Sequence, residues 1–333
     1  FEDLGLPATA RDLADLNHGL VLVTGATGSG KSTTLAAMVH HINSHRPAHI
    51  VTIEDPIEYV HRDLQSRISQ REIGGDTASF NSALRHVVRQ SPDVILVGEM
   101  RDAETMSVAL SAALTGHLVL ASLHTINASQ TLQRILSYFP DHLRAQVAMD
   151  LSLSLRGVLS QRLLPTSDGT RRVLATEILS ATPSVVKLLR EQRIDELEDL
   201  MRSSLEPGIQ TFNHAVLALF ERGDITYEQG MASANNPDEF SLQAKGMATG
   251  LATFAGSEGT GVAVELDMKA LLTQVLDQEA SDLHLTSGRP PILRVSGRLK
   301  PLSEESLTDA DMRILLYSIL SGRQRSIYEL ERE

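Results

Sequence analysis

Eight residues constrain this chain more than any others: Gly25-Ala26-Thr27-Gly28-Ser29-Gly30-Lys31-Ser32, which match the pattern GxxxxGK[ST]. The run Val21-Leu22-Val23-Thr24 precedes them and reads as a short buried strand, and a helix-forming stretch from Ser32 to Ile42 follows. Strand, glycine-rich turn and helix are the setting in which this pattern cradles phosphate. The glycines let the backbone wrap closely, and the loop amides and helix N-terminus offer positive partial charge to an anion. Lys31 is placed to reach β- and γ-phosphates, and the Ser32 hydroxyl to meet Mg²⁺. Gly25, Thr27, Gly28, Ser29, Gly30, Lys31, Ser32 and Thr33 are therefore the candidate nucleotide-binding residues.

Apolar runs at 49–53, 93–97 and 118–123 are further buried-strand candidates. Helical patterns lie between them near 77–90, 102–115 and 127–137. This alternation predicts an α/β fold around a mostly parallel sheet. From about 141 to 233 the pattern turns helical, with candidates at 142–161, 183–190, 194–203 and 211–222. Residues 234–262, rich in Ala, Gly, Ser, Thr and Asn, read as a flexible tail or linker. Beyond it, an amphipathic helix is expected at 266–279, strands at 282–286 and 292–296, and a helix over roughly 309–331. The resulting division is an α/β domain with a helical C-terminal part at 1–233, a linker at 234–264 and a second domain at 265–333.

Two acidic clusters fall where strands end: Glu54-Asp55-Pro56-Ile57-Glu58, and Glu99-Met100-Arg101-Asp102 after the apolar run 94–97. Ligands of open parallel sheets lie beyond the carboxyl ends of strands, where carboxylates can hold Mg²⁺ through water and orient an attacking water. Charged residues are also common on solvated strand ends, so each cluster carries weight mainly because it follows a phosphate loop. His117 and His124 bracket the strand at 118–123. A lone histidine is usually a surface or satisfied core residue, but His124 sits at a carboxyl end, where a γ-phosphate would be sensed.

Composition narrows the rest. The 333 residues carry a formal net charge of −12 and no cysteine. Disulfides, thiolate zinc sites and cysteine nucleophiles are excluded, and the acidic balance argues against a general nucleic-acid binder. No run of about 18 apolar residues suggests a membrane-spanning helix.

The segments GATGSGKS at 25–32, TIEDPIEYVH at 52–61, QREIGGDTASF at 70–80, PDVILVGEMRD at 92–102 and TGHLVLASLHT at 115–125 together resemble the secretion-ATPase superfamily, and within it the retraction ATPases of bacterial type IV pili. The resemblance implies a RecA-like motor domain with a helical C-terminal part, using ATP and Mg²⁺. It casts Glu58 as general base for water and Glu99, with Ser32, as support for Mg²⁺. It casts His117 and His124 as a pair linking nucleotide state to a subunit boundary, so that the catalytic candidates are Glu58, Glu99, His124 and His117. It further implies a homo-hexamer in the cytoplasm, acting at the inner membrane on a pilus platform protein. It leaves room for a paralogous retraction ATPase as partner, with membrane contact only through partners. An accessory nucleotide-gated subunit and a type II or IV secretion ATPase are the alternative readings.

Two departures qualify the resemblance. Leu266–Leu285 and Gly288–Gly297 resemble the start of the family's N-terminal PAS-like domain, which in the family precedes the motor and here follows it. The strands that carry the family's trans-acting arginines are not found, and His18 stands where the family has another arginine. Such arginines stabilise phosphoryl transfer, so slow hydrolysis by the chain as written is the expectation.

Overall fold

A computed structural model describes residues 1–204 and 206–245, with shorter stretches between 271 and 315. The chain divides into two compact units, Phe1–Thr249 and Gly250–Glu333.

The first unit is built on an eight-stranded sheet. In chain order its strands are β1 (Gly19–Thr24), β2 (His49–Glu54), β3 (Arg67–Glu72), β4 (Val94–Val97), β5 (Leu118–Leu123), β6 (Leu155–Pro165), β7 (Arg172–Ser180) and β8 (Ile209–Gln210). The spatial order is β3-β2-β4-β5-β1-β6-β7-β8. Neighbouring strands from β3 through to β6 pair in parallel, while β6–β7 and β7–β8 are antiparallel. All six residues of β1 and of β5 are buried, which is why these strands read as continuous apolar runs. Alternate side chains nevertheless feed different cores. Leu20 and Leu22 pack with Ile53, Ile95 and Val119 in one cluster; Val21 and Val23 pack with Ile50, Leu96 and Leu120 in another.

The second of these clusters is covered by α1 (Ala8–Ala14) and α2 (Lys31–His45). The first is covered by α3 (Phe80–Val87), α4 (Ala103–Leu114), α5 (Ala128–Ser137), α6 (Asp141–Ser154) and α7 (Pro183–Arg190). Helix starts follow local chemistry: Ser79, Asp102, Asn127 and Thr182 each accept a backbone N–H in the first turn of the helix they precede. Asp102, in the second acidic cluster, is thus a cap rather than a catalytic group. The short α8 (Leu197–Ser203) follows α7.

The fold differs from expectation in three places. The helix expected over 142–161 ends at Ser154, and residues 155–165 form β6. Leu151, Leu155, Val158 and Leu159 mimic a helical stripe, but β6 lies between β1 and β7, and the ladder to both decides the conformation. Second, β3 escapes any apolar pattern because it is an edge strand of polar and charged residues, Arg67-Ile68-Ser69-Gln70-Arg71-Glu72. Third, the stretch expected as linker from 234 opens with an ordered helix.

That helix, α11 (Pro237–Ala244), belongs to a cap with α9 (Phe212–Glu221) and α10 (Tyr227–Ser233). Fully buried Phe240 anchors it, edge-on to Phe220 and beside Tyr227. The ring reaches Gly230 so closely that a Cβ there would collide with it.

In the second unit, strands β9 (Asp282–His284), β10 (Ile292–Val295) and β11 (Arg298–Pro301) form an antiparallel sheet in the order β11-β10-β9. Leu271, Leu307 and Leu315 make a small core. Most of the helices expected at 266–279 and 309–331 lies outside the described residues, as does much of the expected linker.

Candidate nucleotide site

β1 is flanked on both sides by parallel neighbours, and the loop from Gly25 to Gly30 joins it to α2. Gly25, Gly28 and Gly30 have φ of 146°, 75° and 92°, a region side chains disfavour. At Gly25 space forbids one as well, since a Cβ would strike Ser29 Oγ and the Gln161 carbonyl. The turn is therefore wound tightly enough that backbone amides, not side chains, line its concave face. Ser29 is 5% exposed, and its Oγ has no hydrogen-bond partner. A buried hydroxyl left over in a glycine-wound loop at a helix N-terminus fits an incoming phosphate oxygen.

Lys31 is buried, and its ammonium donates to the Gly25 and Ala26 carbonyls at 2.9 and 3.1 Å. Burial pushes its pKa down, while the charges of Glu99 and Glu58 pull it back up. Lys31 Nζ also lies 3.4 Å from His124 Nδ1, and His124 Nε2 lies 3.3 Å from Glu99 Oε1. The tautomer that satisfies both contacts carries its proton on Nε2, donating to Glu99 and accepting from Lys31. Arg101 completes the chain at 2.6 Å from Glu99 Oε2. Burial works to raise the Glu99 pKa, but Arg101 and His124 outweigh it and hold the carboxylate below its ordinary range. Glu99 is thus an anion across the physiological range.

The cleft along this edge of the sheet is lined by Thr27, Gly28, Lys31 and Ser32 from the loop and α2. It is lined also by Glu54, Asp55, Glu58, Tyr59 and His61 after β2, by Glu99 and Arg101 after β4, and by His124 after β5. Beside it Thr33 Oγ1 lies 2.8 Å from the Tyr59 hydroxyl, tying the first turn of α2 to the loop that carries Glu58. Glu58 itself is exposed. Glu54, by contrast, accepts from Thr52 at 2.6 Å and Gln70 at 3.2 Å. A carboxylate engaged by its own strand and by the edge strand is a brace, which leaves Asp55 and Glu58 as the exposed acids of this loop that line the cleft. Glu72 braces the same loop by accepting the Ile57 N–H at 3.1 Å. Gln70, Glu72 and Arg101 lie in segments the sequence marks, the run 70–80 and the second acidic cluster, but nothing in their spacing assigns them these contacts.

Not every candidate converges. His117 precedes β5 and His124 follows it, so the six-residue strand separates them by roughly 20 Å. His117 Nδ1 lies 2.9 Å from the Ala112 carbonyl, and its own carbonyl accepts the Gly19 N–H at 3.0 Å. Within one chain it is an anchor at the far edge of the sheet and not a member of the cleft. His18 lies on that edge too, 2.9 Å from an Arg156 nitrogen. Among the described residues no three His, Cys, Asp or Glu side chains come close enough to hold a metal alone. Mg²⁺ is suited to such a place, because it takes one or two protein oxygens and completes its shell with phosphate and water.

A phosphate loop at the carboxyl end of a central parallel strand, with acids and a histidine from the adjoining strand ends, defines a nucleoside-triphosphate-binding α/β domain. The family described as "Type II/IV secretion system protein" matches residues 6–216. The chain is 44% identical to the type IV pilus ATPase PilU of Pseudomonas aeruginosa over 282 residues, which is 85% of this chain and 70% of PilU. It is 48% identical to a twitching motility protein of Neisseria gonorrhoeae, over 73% of this chain and 65% of that one. A crystal structure of the pilus retraction motor PilT with bound ADP superposes with a TM-score of 0.67 at 47% identity, covering 72% of this chain and 67% of that one. The matches span about two thirds of the length of these relatives. The chain belongs to the type II/IV secretion system family of ATPases, in the branch that includes PilT and PilU.

Proposed function

We propose that this chain is the ATP-hydrolysing part of a motor that powers type IV pilus retraction. The observation that carries the reading is the Lys31–His124–Glu99–Arg101 chain beside a glycine-wound loop, in a protein 44% identical to PilU. ATP would lie with its phosphates against the amides of residues 27–32. Lys31 would leave the loop carbonyls for the β- and γ-phosphates, gaining a full charge partner for a half-desolvated ammonium. Ser32 and Glu99 would hold Mg²⁺, which neutralises charge on the phosphates. Glu58 would accept a proton from the attacking water as its oxygen bonds to the γ-phosphorus. The bond to the β-phosphate oxygen then breaks, giving ADP and inorganic phosphate. His124, hydrogen-bonded to Glu99 and 3.4 Å from Lys31, would register whether the γ-phosphate is present.

The same reading makes the working form a homo-hexamer in the cytoplasm, drawn to the inner membrane by a pilus platform protein and, in some settings, by a paralogous retraction ATPase. No helix among the described residues is long and apolar enough to cross a membrane. Expression in a piliated strain lacking its retraction ATPase tests the reading: restored twitching supports it, and normal protein levels without movement refute it. A nucleotide-gated accessory subunit would instead restore movement only alongside a second, active ATPase.

A further inference from the structure

A second polar cavity lies away from the nucleotide cleft, lined in part by Asn127, Glu177, Glu198, Asn213 and Glu239. Glu177 stands out in it. This carboxyl sits in the middle of β7 and is 5% exposed. Its Oε1 accepts the Ala128 N–H at 2.7 Å, and the Phe212 backbone lies near enough to favour its charged form. Ala128 is the first residue of α5 and Phe212 the first of α9. One buried acid therefore satisfies an orphan donor of α5 and sets its charge beside the start of α9.

The two helices lead to different places. α5 begins four residues after His124, and Asn127 Oδ1 caps it by accepting the Gln130 N–H at 2.8 Å. The segment between β5 and α5 is thus held at one end by the β5 ladder and at the other by Glu177. α9 opens the helical cap, which is fastened nearby by Arg162. That guanidinium stacks 3.9 Å from the Phe212 ring centroid and donates to the Ser233 carbonyl and to Asn235 Oδ1 at 2.8 and 2.6 Å.

We propose that Glu177 is a positioning residue: it fixes the start of α5, and through it the His124 segment, against the helical cap, so that His124 meets Glu99 and Lys31 only while this anchor holds. Ionised, the carboxyl accepts the Ala128 N–H and favours both helix starts; protonated, it loses that charge and gives up one acceptor to an O–H. Burial pushes Glu177 up to about 7, against the backbone at Ala128 and Phe212 and the charge of Arg162, and with a further upward push from Glu198. Arg202 and Glu239 are the other charged groups lining the cavity. The anchor therefore changes state near neutral pH. The catalytic consequence rests on the ATPase reading above; the effect on His124 does not.

The test compares wild type, Glu177→Gln and Glu177→Asp as full chains of confirmed folded fraction. Phosphate release is measured from pH 6 to 9, and the His124 imidazole signal is followed by NMR of histidine-labelled protein with Mg²⁺ and ADP. The Gln variant keeps one acceptor and loses the other. Its kcat is expected to fall about tenfold with KM for ATP changed less than twofold, its His124 signal to move, and the wild-type loss of kcat below pH 7 to disappear. The Asp variant should recover part of the rate. An unmoved His124 signal in the Gln variant overturns the proposal whether or not the wild type hydrolyses ATP. So does a kcat loss that only tracks the folded fraction. If the wild type releases no phosphate while His124 moves as expected, the ATPase reading fails and the positioning role stands.

Discussion

Glu177→Gln also has a consequence for stability that can be worked from the structure. A glutamate ordinarily titrates near 4.5, and burial lifts Glu177 to about 7. Between those values the folded protein keeps a proton that the unfolded chain has lost. Stability from this group is therefore fully present below pH 4.5 and drains away as pH rises through the folded value. At about 1.4 kcal/mol per pH unit, the gap costs the folded state about 3 kcal/mol by pH 8. Glutamine does not titrate. Wild type should thus lose about 3 kcal/mol relative to the Gln variant between pH 4.5 and 8, all other groups cancelling in the comparison. At about 2–4 °C per kcal/mol for a unit of this size, the gap between the two melting curves should change by about 6–12 °C across that range. Thermal melts of both proteins at half-unit pH steps measure it. Melting temperatures that run parallel with pH would show that Glu177 is ordinarily ionised, and the cavity wetter than the geometry implies.

Other substitutions probe separate parts of the account. Phe240→Ala removes the buried ring that anchors α11, and should destabilise the first unit by about 3–5 kcal/mol, read by denaturant unfolding. A loss under about 1 kcal/mol would mean the segment after 234 is not integral to the fold. Gly25→Ala places a methyl against Ser29 and Gln161 at a backbone φ of 146°, which costs about 1–3 kcal/mol in strain alone. ADP affinity by calorimetry should drop at least tenfold while the far-ultraviolet circular dichroism is unchanged; unaltered affinity would refute the tight-turn argument.

The central sheet was legible because its strands are buried on both faces, so that Val21–Thr24, Val94–Val97 and Leu118–Leu123 stand out as unbroken apolar runs. The phosphate loop was legible because its glycines answer a backbone requirement that few other sequences meet. What stayed hidden depends on distant partners. β3 is a strand only because β2 offers it an edge, and β6 only because β1 and β7 flank a stretch whose leucines are spaced like a helix. His117 and His124 are equivalent in sequence as strand-flanking histidines, yet strand direction sends one to the cleft and the other to the far edge. Glu177 carries a signal of its own: an acid between Thr176 and Ile178 in a largely apolar run must either face solvent or find a buried donor, and it finds the Ala128 N–H.

The claim on which the rest depends is that this cleft hydrolyses ATP with Glu58 as the acceptor of the water proton. Mg²⁺-dependent phosphate release by the wild-type chain and by Glu58→Gln, each at matched ADP affinity, tests it most directly. The account predicts turnover in the wild type and a loss of at least a hundredfold in the variant, with nucleotide still bound. Equal turnover in both proteins would contradict it.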